Sequence, residues 1–414
     1  PGGSGGANAD GDGNAATGVE TEWVHFGPGT PAGVGTGPRE ISTPAAGVAV
    51  APELNRNNYR LSDADQIGQG RQRQKFRQNV AAIVALRKIE AEGRPATADE
   101  KAVLVKYVGW GGLPQVFATA EEAPKWAAEQ AELKALLSSD EHVSAKATVL
   151  NAHYTSPTVI RAMFAAVARL GFTDGRVLEP ACGLGHFFGL MPEEMAVHST
   201  LTGIEIDSVT ARLAKALYPD VDIREKPFEK AVLATNSFDL AISNVPFGDY
   251  APFDTKLNPR KFLIHDYFLV ATAEVVRPGG LIAFITSRGT LDKQYPNLRE
   301  AMARTCDLIG AIRLPHTAFK QNANTEVTTD ILFLRKRAPG EKPGGASWRE
   351  SRQREGSEIF LNEYYHARPD MMLGRLERAE HGMYGRDEVR LADDGRELSA
   401  ALATAVATLP EGIY

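Results

Sequence analysis

Two short segments carry residue types that together could hold a ligand containing a nucleoside. The first is Val177-Leu178-Glu179-Pro180-Ala181-Cys182-Gly183-Leu184-Gly185, which follows a β-branched run and precedes a helical pattern. Glycine lets the backbone approach a ligand closely, and a helix N-terminus presents unpaired N–H groups. In the second, Gly203-Ile204-Glu205-Ile206-Asp207, the carboxylate of Glu205 lies 20 residues after Gly185 and could accept both ribose hydroxyls.

The residues around the glycine turn favour one class of nucleoside. A pyrophosphate-binding turn would continue as G-x-G-x-x-G, whereas Gly185 is followed by His186, Phe187 and Phe188. Glu179 would repel a pyrophosphate but would suit a cation. S-adenosylmethionine (SAM) has an amino group, a sulfonium and a ribose, so it fits both acids; the alternative is that they are solvated loop carboxylates.

A third segment, Asn244-Val245-Pro246-Phe247-Gly248, follows a later β-branched run and would face the same cleft, because an α/β sheet binds ligands outside the carboxyl ends of its strands. Alone it could be an ordinary turn. In combination it suits methyl transfer to a planar amino group. The Asn244 side-chain oxygen and the Val245 carbonyl would each accept one N–H, which frees the nitrogen lone pair, and Phe247 would stack on an extruded base.

In this order, the glycine turn, the acidic strand end and the Asn-x-Pro-Phe loop resemble the class I SAM-dependent N6-adenine DNA methyltransferases. The chain is similar in particular to the methylase module that precedes a helicase in large phage and plasmid DNA-modification or antirestriction proteins. Similar stretches also include Gly109-Trp110-Gly111-Gly112, His153-Tyr154-Thr155-Ser156-Pro157 and His265-Asp266-Tyr267-Phe268. The resemblance therefore spans roughly residues 55–375.

The resemblance implies a set of site residues, with SAM as cofactor and DNA as substrate. The implied cofactor-binding residues are Tyr154, Thr155 and Pro157 at the methionine end, Glu179, Pro180, Ala181, Gly183 and Gly185 around the amino acid moiety, Glu205 and Ile206 at the ribose, and Phe228 beside the adenine. The implied catalytic residues are Asn244, Val245, Pro246 and Phe247. It also implies a helicase as part of a longer polypeptide or as a separate partner, no metal, and a bacterial cytoplasmic or phage-encoded origin.

Two positions depart from the family pattern. Val245 stands where the catalytic tetrapeptide usually has proline; valine keeps the backbone carbonyl and loses only rigidity. Pro227 precedes Phe228 where an acidic residue often binds the adenine of SAM, and Glu229 is poorly placed by position to replace it.

The elements that would position these residues follow an α/β pattern. Alternating helical and β-branched runs from 153 to 337 predict a Rossmann-like, seven-stranded sheet of the SAM methyltransferase type, preceded by a helical N-terminal unit. The predicted strands are Arg176–Glu179, Leu201–Glu205, Val221–Ile223, Phe238–Ser243, Leu281–Thr286, Leu308–Leu314 and Thr329–Arg335, the last two as an antiparallel pair at one edge. The predicted domains are a disordered, Gly-rich linker at 1–52, the helical unit at 53–140, the methyltransferase at 141–337, and a linker with a weakly ordered or helical tail at 338–414.

Composition sets limits on partners and location. With 43% hydrophobic and 24% charged residues the chain is typical of a soluble protein, and its apolar runs are too short to cross a bilayer. A formal charge of −6 argues against binding nucleic acid by bulk charge, so a local patch is needed. We expect Arg260 and Lys261 to hold phosphates, with Arg313, Arg335, Lys336 and Arg337 extending the same rim. Two distant cysteines fit a reducing cytosol, and a chain that begins at Pro1 is expected to be a segment of a longer one.

Two other functions are compatible with the same residues. The Asn244 loop would serve any planar amine, so the substrate could be an RNA base or a protein glutamine. Alternatively, Val245 and Pro227 favour a non-catalytic subunit that binds SAM or DNA in an antirestriction or defence assembly.

Overall fold

The computed structural model describes residues 55–149, 154–319, 327–379 and 388–414. These ranges belong to one compact unit, Pro52–Tyr414. The predicted linker at 1–52 and His153 lie outside the described residues, and the boundary between 140 and 141 stays a prediction.

A seven-stranded sheet organises the fold, as predicted. Its strand order is β3-β2-β1-β4-β5-β7-β6, and pairings among β1 to β5 are parallel, whereas β7 runs antiparallel to both β5 and β6. The antiparallel pair predicted at one edge is therefore confirmed. The strands are β1 (Arg176–Glu179), β2 (Thr200–Glu205), β3 (Asp222–Glu225), β4 (Phe238–Asn244), β5 (Val276–Ser287), β6 (Cys306–Leu314) and β7 (Thr329–Lys336).

Helices alternate with the strands, which confirms the Rossmann-like α/β class. Thr97 and Glu100 form a capping box, and Gly93 ends the long first helix in the left-handed region at φ 60°, both as the sequence predicts. The helices up to β6 are α1 (Gln72–Glu92), α2 (Ala98–Leu104), α3 (Ala127–Leu136), α4 (Ser139–Thr148), α5 (Pro157–Arg169), α6 (His186–Leu190), α7 (Glu193–Ala196), α8 (Ser208–Leu217), α9 (Ile264–Val275), α10 (Gly289–Asp292) and α11 (Asn297–Ala303).

The helical unit before the sheet contributes its aromatic side chains to the same hydrophobic core as the sheet. Trp110, from the Gly-Trp-Gly-Gly turn, is buried and its ring contacts those of Phe76 and Phe117. The Asn79 side chain donates to the Gly109 carbonyl (2.6 Å) and accepts from the Val108 amide (2.9 Å), which fixes this turn. Helix α4 was not predicted; it spans the expected boundary at 140.

The stretch after Arg337 is not a weakly ordered tail in its described residues. It forms β8 (Ser351–Gln353), β9 (Phe360–Asn362), α12 (Glu363–Ala367), β10 (Arg375–Ala379), β11 (Glu388–Ala392) and α13 (Leu398–Ala407). Trp348, Tyr365 and Leu402 are buried, and the Tyr414 ring packs edge-on against Phe172. These elements were not predicted because they are short and their apolar side chains are spaced irregularly, so the sequence shows no helical or strand periodicity there.

Four cations predicted to bind phosphate are instead used by the fold. Arg313 is fully buried and pairs with Asp330 (2.7 Å) and Asp292 (2.7 Å). The other three are also bound within the protein: Lys336 donates to backbone carbonyls, Arg337 pairs with Asp307, and Arg335 pairs with Glu341. These four side chains therefore make contacts within the protein instead of the predicted phosphate-binding rim, and Arg313 is fully buried on β6.

In the described part of the chain no helix is both long and apolar enough to cross a membrane. Nor do the described His, Cys, Asp and Glu side chains form a group of three that could hold a metal ion.

Candidate functional site

A cavity of about 330 Å³ opens where β1, β2, β3 and β4 end. Because the carboxyl ends of parallel strands share one edge of a sheet, the loops after them surround the same space. Its lining residues are Gly109, Ser144, Ala147, Thr148, Tyr154, Thr155, Ile160, Glu179, Pro180, Ala181, Cys182, Gly183, His186, Phe187, Ile204, Glu205, Ile206, Thr210, Lys226, Pro227, Phe228, Glu229, Asn244, Pro246, Tyr250, Pro252, Ile264 and Phe268.

Most of the residues named from the sequence line this cavity. Eleven do: Tyr154, Thr155, Glu179, Pro180, Ala181, Gly183, Glu205, Ile206, Phe228, Asn244 and Pro246. Four do not: Pro157, Gly185, Val245 and Phe247. The glycine turn and the Asn-x-Pro loop, predicted to share one edge of the sheet, therefore share one cavity.

The glycine turn is held by the acid on the neighbouring strand. The backbone N–H of Gly183 donates to Oε2 of Glu205 (2.8 Å), and that of Asp207 donates to Oε1 (2.7 Å). Gly183 and Gly185 both have positive φ, at 52° and 85°. A Cβ on Gly185 would lie 2.7 Å from the Tyr218 ring, so this glycine permits close packing behind the turn and does not face the cavity.

Two buried carboxyl groups on one wall of the cavity have perturbed pKa values. Burial raises the pKa of Glu179 well above its usual value, and the nearby Glu205 raises it further. Burial also raises the pKa of Glu205, to about 7. Glu179 Oε2 and His186 Nε2 are buried, and neither has a hydrogen-bond partner among the described residues. The wall is thus suited to a ligand that brings positive charge and donors.

Asn244 is the last residue of β4 and is oriented by the segment before α5. Its Nδ2 donates to Oγ1 of Thr155 (3.0 Å), so two residues predicted for opposite ends of the reaction are in direct contact. Val245 is buried and its N–H continues the ladder to the Ile285 carbonyl (3.2 Å). Pro157, in turn, is the first residue of α5, where proline suits the helix start.

Phe247 is buried and is not among the residues that line the cavity. Its stacking role stays a prediction. The aromatic rings that do line the cavity beyond Asn244 are Tyr250 and Phe268. Sequence reasoning missed both, although Tyr250 is only three residues after the tetrapeptide.

The far end of the cavity is formed by the segment after β3. The Phe228 ring stacks on that of Phe268 with centroids 4.9 Å apart and planes at 33°. Glu229, which directly follows Phe228 on the 3₁₀ turn Phe228–Lys230, also lines the cavity.

The helical unit contributes to the cavity as well. Gly109 faces the partly buried Tyr154, and a Cβ there would lie 2.9 Å from the tyrosine ring. Tyr154 in turn contacts the His186 ring, with centroids 5.0 Å apart. From α4, Ser144 donates to Asp207 (2.6 Å). The Gly-Trp-Gly-Gly turn thus supports the cofactor side from outside the sheet, a role that no local sequence signal predicts.

One curated protein is similar to part of this chain. It is the defense against restriction protein B of Escherichia phage P1, 29% identical over 189 residues. The match covers 44% of this chain and 8% of that protein, so it spans only a small part of the relative's length. No family model matches the chain.

Several of the solved structures similar to this chain are described as methyltransferases or restriction-modification subunits. A class I SAM-dependent methyltransferase from Listeria monocytogenes aligns with a TM-score of 0.44 and 17% identity, over 69% of this chain and 92% of that one. A type I restriction-modification methyltransferase subunit from Streptococcus thermophilus has a TM-score of 0.41 and 14% identity, over 63% and 66%. A modification subunit of a type I restriction enzyme from Vibrio vulnificus has 0.38 and 17%, over 68% and 65%.

Proposed function

We propose that this protein transfers a methyl group from SAM to the N6 amino group of adenine in DNA, after the base has been extruded from the duplex. The observation that carries this proposal is that Glu179 and Asn244 line one cavity. A carboxyl group suited to a cation and a side-chain amide suited to an amine therefore line the same cavity.

The cofactor side fits SAM by its donor and acceptor chemistry. The Glu179 carboxyl is buried, and one of its oxygens has no hydrogen-bond partner among the described side chains and backbone, so it would accept a hydrogen bond from the amino group of the methionine end. Glu205 would accept from the ribose hydroxyls, and Phe228 would pack on the adenine. When bound, SAM supplies an electrophilic methyl carbon on a sulfonium, which leaves as a neutral thioether.

On the acceptor side, Asn244 and the Val245 carbonyl would each accept one N–H of the target amine. These two bonds hold the nitrogen lone pair out of the ring system, so that it can form the new N–C bond as the C–S bond breaks. The nitrogen loses its extra proton afterwards, and no strong general base is needed. Thr155, which bonds Asn244 Nδ2, would fix the amide so that its oxygen serves the amine.

Duplex DNA requires that the adenine leave the base stack, because its amino group cannot reach an enclosed site within the helix. Tyr250 is half exposed and also lines the cavity, so it would contact the extruded base. Arg260 and Lys261 are exposed on the same loop and would hold the flanking phosphates. We further propose that recognition draws on a partner or on a longer chain, such as a helicase portion.

The test offers purified DNA, RNA and protein separately with SAM labelled in its methyl group, followed by digestion to nucleosides or amino acids. We expect label in N6-methyladenine from DNA. Label confined to RNA, or to glutamine in protein, would move the same chemistry to another substrate. SAM binding without transfer to any of the three would instead support a non-catalytic subunit.

A further inference from the structure

Two strongly exposed aromatic side chains lie on the loop that follows the proposed catalytic segment. In the described ranges, three aromatic rings are strongly exposed: Phe253 (88%), Tyr295 (80%) and Tyr250 (49%). Phe253 directly follows Pro252, which lines the cavity, and Tyr295 lies on the segment after β5, the strand next to β4. Phe253 and Tyr250 expose two rings within four residues of one loop, and grouped apolar surface of this kind is typical of an interaction site.

The loop that carries Phe253 is firmly built. Asp254 accepts from the backbone N–H groups of Lys256 and Leu257 (2.9 Å each) and from the Tyr267 hydroxyl (2.8 Å). Asn258 is buried and donates to the carbonyls of Pro252 (3.1 Å) and Phe262 (3.0 Å). Since these bonds satisfy the loop's buried polar groups, the exposure of the ring is a property of an ordered loop.

The segment that carries Tyr295 is anchored to the same helix. Lys293 pairs with Asp266 in the first turn of α9, and the Tyr267 hydroxyl, one residue later, holds Asp254. Adjacent side chains of one helical turn therefore fix both aromatic segments. We name the surface formed by residues 250–261 and 293–295 the aromatic rim.

The charge of the aromatic rim favours nucleic acid as its partner. Lys256, Arg260 and Lys261 are exposed on the Phe253 loop. The whole chain is acidic, with a formal charge of −6, so a local group of cations interleaved with exposed rings is the pattern expected for phosphates and base faces.

We infer that Phe253 enters the base stack of DNA beside the extruded nucleotide and fills the gap that the nucleotide leaves. This inference rests on the proposed function and extends it, because it assigns the side chain that stabilises the extruded state. An aromatic ring can do so for any neighbouring base, since every base has a π face.

The test compares Phe253→Ala, Phe253→Trp and Val232→Ala as full chains, with duplex genomic DNA that lacks adenine methylation as the probe. Val232 is the matched control because it is equally exposed (88%) but lies between β3 and β4, outside the aromatic rim. At low DNA concentration, Phe253→Ala should lower the rate of methyl transfer by roughly 5- to 100-fold, the range for loss of one base-stacking ring. Phe253→Trp should retain the rate, Val232→Ala should match the unaltered protein, and SAM affinity should be unchanged in all three.

A second readout uses the indole of Phe253→Trp as a fluorescent probe, measured against the unaltered protein. Duplex DNA should shield it from acrylamide quenching, whereas DNA should leave the indole of Val232→Trp accessible. Full methyl transfer by Phe253→Ala, or loss of its SAM binding, would overturn the inference while leaving the proposed function in place. Absence of methyl transfer by the unaltered protein would reject the proposed function, and the shielding measurement alone would then decide the inference.

Discussion

The two sides of the cavity are built in different ways. On the proposed cofactor side, the backbone N–H groups of Gly183 and Asp207 donate to the Glu205 carboxylate, Glu179 is buried, and residues of the helical unit line the cavity. On the acceptor side, Asn244 sits at a strand end, and the loop beyond it leads outward to exposed rings and cations.

This difference separates two physical tasks. A small cationic ligand can be bound in a preformed pocket, where desolvation strengthens its contacts with acids. A long polyanion needs an open surface, and only one of its bases has to enter. We therefore expect substitutions on the cofactor side to change ligand affinity and stability, and substitutions on the acceptor side to change turnover.

Asn244→Ala should have the largest effect. Removing the side-chain oxygen takes away one acceptor that acts on the amine in the transition state, and such losses lower the rate by about 100- to 1000-fold. SAM affinity, measured by calorimetry, should stay within a few fold. Asn57→Ala, an exposed asparagine that bonds Asp220, is the matched control and should leave both quantities unchanged. A large loss of SAM affinity would show that Asn244 contributes to SAM binding, and the proposed difference between the two sides of the cavity would then be wrong.

Gly109→Ala should weaken the cofactor side without touching the acceptor loop. Gly93 has a similar φ, 60° against 63°, but open space around it, whereas a Cβ on Gly109 would lie 2.9 Å from the Tyr154 ring. Gly93→Ala should cost about 1–2 kcal/mol for its left-handed backbone. Gly109→Ala should cost roughly 1–3 kcal/mol more for overpacking, measured by denaturant unfolding, and should also lower SAM affinity. Equal losses in the two variants would argue against support of Tyr154 by the Gly-Trp-Gly-Gly turn.

The pH dependence of the free energy of unfolding tests the burial of Glu205, with a smaller expected effect. Because the pKa of Glu205 rises from 4.5 to about 7 on folding, the folded protein binds more protons than the unfolded chain between these values, and its stability should fall as pH rises through that window. Glu205→Gln should reduce this dependence and leave the part that comes from the raised pKa of Glu179. Glu225→Gln, at the position paired with Glu205 on β3, is the control and should retain it. An unchanged slope in Glu205→Gln would show that the carboxyl is not buried as described.

The sequence is informative where the role of a residue depends on other residues close to it in the chain. The sheet follows from β-branched runs between helical patterns, and the cavity from turns at successive strand ends, so Glu179, Glu205 and Asn244 could all be named in advance. Gly93 and Thr97 mark helix ends because their roles depend on near neighbours.

Long-range packing is what the sequence conceals. Arg313 and Arg337 look like surface cations, yet each is neutralised by an acid on another strand or segment. The contact between Gly109 and Tyr154 joins two segments whose patterns are unrelated, and the folded stretch after Arg337 has no regular period. These features depend on partners distant in sequence.

The most direct test of the central claim is to sequence DNA from cells that express the protein, with a method that detects modified adenines, beside cells that express Asn244→Ala. If SAM and the target adenine bind in the same cavity, DNA from cells with the unaltered protein should contain N6-methyladenine at a defined motif, and DNA from cells with Asn244→Ala should contain none. Equal methylation in both, or unmodified DNA from cells that contain folded, SAM-binding protein, would contradict it.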